Sequence, residues 1–65
     1  MGMFSEIATN ATVKTIVGEI KKEMELSSNP EVRATLKRIG RFAMTQLDYC
    51  TEDWVHEYER LFAEQ

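Results

Sequence analysis

Apolar side chains recur along this chain at steps of three and four, the spacing of a helix that buries one face. Between positions 30 and 47, Val32, Leu36, Ile39, Ala43 and Leu47 form one such stripe and are expected to be core, with Arg33, Lys37 and Arg41 on a neighbouring face. The start of this helix is written locally in Asn29-Pro30-Glu31: a capping side chain, a proline suited to the first helical position, and an acid facing the positive end of the helix dipole. Gly40 falls inside the helix, where it costs about 1 kcal/mol relative to alanine. An interior glycine of this kind marks a close approach by a neighbouring element.

Ahead of Asn29, Val13, Ile16, Val17, Ile20 and Met24 keep helical spacing and predict a first helix, against the strand preference of Thr12, Val13, Thr15, Ile16 and Val17. Phe4, Ile7, Ala8 and Ala11 are also helically spaced, but they point almost opposite the Val13 stripe at 100° per residue. Either the chain bends near Thr9-Asn10, or the second face is covered from outside the monomer. After Leu47, Thr51-Glu52-Asp53 supplies a capping hydroxyl and two acids, predicting a third helix from about Glu52 with Trp54, Tyr58, Leu61 and Phe62 along its stripe. Cys50 and Trp54 nearly extend the preceding stripe, so one continuous helix from Pro30 to about Ala63 is the alternative. The expected fold is all-α, a single domain over residues 1–65. Helices one and two, joined by Ser27 to Asn29, form an antiparallel hairpin with a C-terminal helix beside it. Met1-Gly2 reads as an expression scar ahead of a natural start at Met3.

Length then changes the picture, because 65 residues bury only about 60% of the surface the unfolded chain exposes. A chain this small needs a disulfide, a metal or a partner copy. Cys50 and His56 are the only residues of their kinds, which removes an internal disulfide and any multi-thiolate zinc site. Association remains. Phe42 and Met44 flank the second helix's stripe on opposite sides, and a helix apolar on more than one face wants more than one neighbour. A dimeric helical bundle is therefore expected, with Phe4, Ile7, Phe42, Met44, Trp54, Tyr58 and Phe62 at the dimer or partner interface.

Charge is uneven, summing to −1 over residues 1–30, +3 over 31–47 and −5 over 48–65. Arg33, Lys37, Arg38 and Arg41 place four cations on one helix, and nucleic-acid contact by this face is the second reading. The acidic whole, with net charge −3, opposes it. The face then reads as a solvated one, or as a seat for the acidic third helix of a partner chain. Catalytic candidates are few. His56, with Glu52 or Arg60 within reach of it, reads as a surface or interface histidine, and Cys50 as a small buried residue near the apolar stripe. Asp48, Glu52, Asp53 and His56 match no metal-ligand spacing. Met3, Met24 and Met44 with Phe42 and Phe62 can line an adaptable groove, but core is their ordinary use. The expectation is a protein that is not an enzyme and takes no cofactor or metal. No apolar run approaches the roughly 20 residues that cross a bilayer, and the N-terminus lacks a secretion pattern, so no membrane contact and a cytoplasmic location are expected.

From Met3-Phe4-Ser5-Glu6-Ile7 to Leu61-Phe62-Ala63-Glu64-Gln65, the chain resembles the small early proteins encoded in the exo-xis region of lambdoid phages, in length and in its motif-free helical pattern. The resemblance implies a regulatory protein of the host cytoplasm that modulates the host cell cycle or the lysis–lysogeny choice. Its partners would be itself and an unidentified host protein, reached by contact rather than catalysis.

Overall fold

The structure is a computed structural model that describes the backbone of residues 3–63 and the side chains of residues 9–63. Three helices follow in order: α1, Met3–Leu26; α2, Pro30–Met44; and α3, Asp53–Phe62, with no strand among the described residues. α1 is one uninterrupted helix through Thr9-Asn10. Residues 45–52 leave the helix, so the second and third stripes belong to separate helices.

Local chemistry accounts for the start of α2. Asn29 sits in extended backbone at φ −75° and ψ 119°, and its Oδ1 accepts from the N–H groups of Glu31 at 2.9 Å and Val32 at 3.4 Å. These are two donors that the first turn would otherwise leave unpaired. α2 ends by tightening: the N–H of Thr45 reaches the carbonyls of Arg41 and Phe42, that of Gln46 reaches Ala43, and that of Leu47 reaches Met44. The start of α3 differs from the sequence expectation. Its N-cap is Glu52 rather than Thr51, and no side chain caps it; the Glu52 carboxylate instead accepts from the Trp54 indole N–H.

The core takes Val13, Val17, Ile20 and Met24 from α1, Ala43 from α2 and Phe62 from α3. Val13, Val17 and Ile20 are thus held helical because helical spacing brings them to this one buried line, and packing outweighs a modest propensity cost, while Thr12, Thr15 and Ile16 lie off that line. Half-buried Leu36, Met44, Leu47, Trp54, Tyr58 and Leu61 pack around it. Gly40 is buried beneath Phe62, whose ring atoms would lie 2.7 Å from a Cβ at that position. The glycine lets the ring lie directly on the α2 backbone.

That contact corrects the expected core stripe of α2. Leu36, Gly40 and Ala43 face inward, whereas Val32 is 43% and Ile39 46% exposed. α2 is rotated so that its smallest residues meet both neighbours, and the larger β-branched side chains swing outward.

Cations from α2 stitch the helix ends together. α1 has no basic residue in its last turn; the Arg33 guanidinium fills that role, donating to the carbonyl oxygens of Met24 and Ser27. Arg41 Nη1 donates to the Phe62 carbonyl at 2.8 Å, at the C-terminus of α3. Both positive charges sit where helix dipoles favour them. Far from the Met24–Arg33 contact, the Asp48 N–H donates to Asn10 Oδ1 at 3.0 Å.

Lys21 Nζ lies 3.2 Å from Glu57 Oε1, joining α1 to α3. The hydrogen bond and the charge of Glu57 hold the Lys21 ammonium above its usual 10.5. A raised lysine pKa gives a stabilisation that is whole below the unfolded value and is lost as pH rises through the folded one. Lys21→Met is therefore expected to lose a small increment of stability at pH 7 and 9, and none at a pH well above 10.5. Denaturant melts of both proteins across that range check it. A difference persisting unchanged at strongly alkaline pH would assign the effect to the lysine stem.

Candidate interaction surface

α3 lies over one side of the α1–α2 layer. On α1 it meets Lys14, Gly18 and Lys21: Lys14 Nζ is 5.8 Å from the Trp54 ring centroid, a Cβ at Gly18 would stand 3.7 Å from the Tyr58 hydroxyl, and Lys21 pairs with Glu57. On α2 it meets Gly40 and Arg41. At 100° per residue, Ile16 points roughly 140–160° away from Lys14, Gly18 and Lys21, and Val32 and Ile39 point roughly 80–100° away from Gly40 and roughly 160–180° away from Arg41. These three side chains fall on the side that α3 does not reach, and they are 44%, 43% and 46% exposed.

Along α2 the same side carries Val32, Thr35, Ile39 and Phe42 at steps of three, four and three, the repeat of a helix-pairing seam. Phe42, at its outer edge, is 68% exposed. A shallow, mainly apolar depression beside Glu31, Val32, Thr35 and Leu36 begins the stripe. Leu26 and Tyr49 are also exposed, but Leu26 points outward at the end of α1 and Tyr49 stands in the segment between α2 and α3.

The structure treats the expected interface residues unequally. Phe42 is openly available. Phe62 is wholly buried, and its place under the Tyr58 ring and over Gly40 makes it core rather than interface. Trp54, Tyr58 and Met44 are half-buried against the core, with Trp54 edge-on to Tyr58 at 6.1 Å and Tyr58 stacked on Phe62 at 5.7 Å. The side chains of Phe4 and Ile7 lie outside the described residues. Val32 and Ile39, which their spacing predicts as core, are at the surface, as is Ile16.

The four cations are likewise divided. Arg33 and Arg41 are engaged with backbone carbonyls, Lys37 is half-buried and Arg38 is exposed. The helix does not present four cations to one ligand.

Other groups remain scattered. His56 Nδ1 is 3.9 Å from Glu59 on the exposed side of α3. Cys50 is half-buried beside a shallow depression bordered by Met44, Leu47, Val55 and Glu59. An open cleft between α1 and the start of α3 is lined by Asn10, Ala11, Lys14, Glu52 and Trp54. Among the described residues, no three of His, Cys, Asp and Glu converge, and no helix is long and apolar enough to cross a membrane.

No protein-family model, curated protein or solved structure matches the chain.

Proposed function

We propose that this chain is a protein–protein interaction module whose working form is a homodimer, in which α1 and α2 make an antiparallel hairpin and the apolar side left open by α3 is the contact surface. The contacts of Met24 with Arg33 and of Asn10 with Asp48 support the hairpin. The observation that carries the reading is the exposure of Ile16, Val32, Ile39 and Phe42 on a chain whose opposite side is already covered.

A magnitude bounds the affinity. The exposed fractions of these four residues amount to about two whole side chains per copy, so burial on both copies draws on the order of 6–12 kcal/mol. Association costs about 4–15 kcal/mol in lost freedom. At the most favourable ends of both ranges the net is about 8 kcal/mol, so the dimer is no tighter than micromolar.

A regulatory role in the cytoplasm is the one implied by the resemblance to small early phage proteins, and a host protein would compete for the same surface. The nucleic-acid reading through Arg33, Lys37, Arg38 and Arg41 has less support, because two of the four guanidinium and ammonium groups are spent on helix ends.

Sedimentation equilibrium from about 1 to 100 µM is the direct test, since dimers of this strength populate within that range. Twice the chain mass is expected at the upper end, and Phe42→Ser is expected to shift the midpoint to higher concentration while the helical circular dichroism is unchanged. A wild-type monomer throughout would overturn the reading.

A further inference from the structure

We infer that α3 is an exchangeable helix: residues 45–52 straighten, join α2 to α3 as one rod, and lay the α3 of each chain in the α1–α2 groove of a second copy. The exchange goes beyond the contact through the open apolar side, which it leaves uncovered, and it stands or falls separately.

The fit of this helix to this groove is seen directly, because the chain's own α3 occupies it. Phe62 lies on the bare backbone at Gly40, and Arg41 donates to the Phe62 carbonyl. Lys14 stands over the Trp54 ring and Lys21 pairs with Glu57. Each of these contacts joins α3 to α1 or α2, and none depends on the two belonging to one chain. A second copy's α3 therefore brings the same aromatic ring, the same carboxylate and the same helix end.

The segment that must change carries a helical pattern it does not use. From Ala43 at the end of α2, Leu47, Cys50, Trp54 and Tyr58 follow at steps of four, three, four and four, and all five are buried or half-buried. On one straight helix they fall within an arc of roughly 80°. No glycine or proline lies between Arg41 and Ala63 to oppose such a helix. Straightening also satisfies groups that the break leaves poorly served. α3 starts without a side-chain cap, and in a continuous rod its first N–H groups take carbonyls of the preceding turn. The Asp48 N–H leaves Asn10 and takes the Met44 carbonyl instead.

Symmetry is consistent with the same register. Gly40 and Phe62 are far apart in the chain, yet on one continuous helix they point only roughly 40° apart. Phe62 of one copy on Gly40 of the other then brings the reverse contact with it, in two antiparallel rods related by a two-fold axis near Thr51. Within one chain, a short linker presents α3 to its groove at an effective concentration of about millimolar. Exchange of the wild type is accordingly expected only near that concentration, unless the linker is made more helical or the closed form is weakened.

The test mixes two full-length variants, Phe42→Ser/Phe62→Ala and Phe42→Ser/Gly40→Val, with Phe42→Ser weakening the open-side contact in both. The first keeps the groove and lacks the ring; the second keeps the ring and lacks the room for it. Exchange sets Gly40 beneath Phe62 in one half, and in the other sets the added valine beside the vacated ring position. Refolded together at about 100 µM each, the two are expected to form a 1:1 complex of twice the chain mass, melting about 10 °C or more above either variant alone. Tyr49→Ala/Thr51→Ala, at two exposed linker positions, is expected to tighten that complex about tenfold when added to both partners, since helix propensity there counts only in the straightened form. A mixture with the mass of one chain and the averaged melt of its parts overturns the exchange, whether or not the wild type dimerises through its open side. A complex that the linker changes leave unmoved overturns the straightened rod.

Discussion

Phe62→Ala lowers the free energy of unfolding by about 3–5 kcal/mol, the usual range for removing a buried phenylalanine from a core. Phe62 is 0% exposed and joins the buried side chains of α1 and α2 to those of α3. Two features place it toward the upper part of that range. The ring is the partner of Tyr58 in a stacked pair, and Gly40 beneath it has no side chain with which to fill the space left behind. Because a domain of this size holds only a few kcal/mol of net stability, the variant is expected to be largely unfolded at 37 °C, visible as a loss of cooperative thermal melting. A well-formed melt shifted by only a few degrees would show that α3 contributes little to the core.

Gly40→Val is expected to destabilise by about 2–3 kcal/mol, although replacing glycine in a helix interior ordinarily helps. A Cβ there meets three ring atoms of Phe62 at 2.7 Å, closer than nonbonded carbons approach, and the ring cannot retreat because it is enclosed. Overpacking of this kind costs about 1–3 kcal/mol even when the backbone shifts to relieve it, and a branched residue adds atoms to the same contact. Gly18→Ala is the internal control. Its Cβ would stand at an ordinary 3.7 Å from the Tyr58 hydroxyl, so the change is expected to stabilise by about 0.5–1 kcal/mol. The two sites also make a thermodynamic cycle: in the Phe62→Ala background the valine enters vacated space, and most of its penalty disappears. The cycle is read at low temperature with a stabilising osmolyte such as TMAO present, which offsets part of the loss in the Phe62→Ala background. Equal penalties in both backgrounds would mean that the cost of Gly40→Val arises in the helix rather than at the ring.

Where the sequence was informative, the chemistry was local. Asn29, Pro30 and Glu31 act within one turn of each other, and α2 begins where they say. The α1 core line of Val13, Val17, Ile20 and Met24 was legible because no other phase of that segment gathers as many large apolar groups; Ile16, on its flank, is 44% exposed. Gly40 was legible as a point of close approach, but nothing near it in the chain names Phe62. For α2, Leu36 and Ala43 face inward as their spacing predicts, but Gly40 takes the inward place of Val32 and Ile39, since the stripe is apolar over too wide an arc for spacing alone to choose the buried edge.

The site followed the same division. Phe42 could be recognised as surplus to the α2 stripe, and it is exposed. Val32 and Ile39 could not, because their exposure depends on which side α3 covers. Arg33 and Arg41 read as members of a basic patch, yet each reaches a carbonyl nine and twenty-one positions away in the chain. A charge pattern cannot disclose that a neighbouring helix end lies within reach.

Capping at Asn29 and the apolar line of α1 were thus set by interactions among residues a few positions apart, whose energies depend on backbone geometry already known for any helix. The rotation of α2, the enclosure of Phe62, the use of two arginines as helix-end donors and the identity of the uncovered face depended on how three rods pack. Small differences in side-chain volume at Gly40 and Ala43 decide that packing, and they act between segments that the chain brings together only on folding.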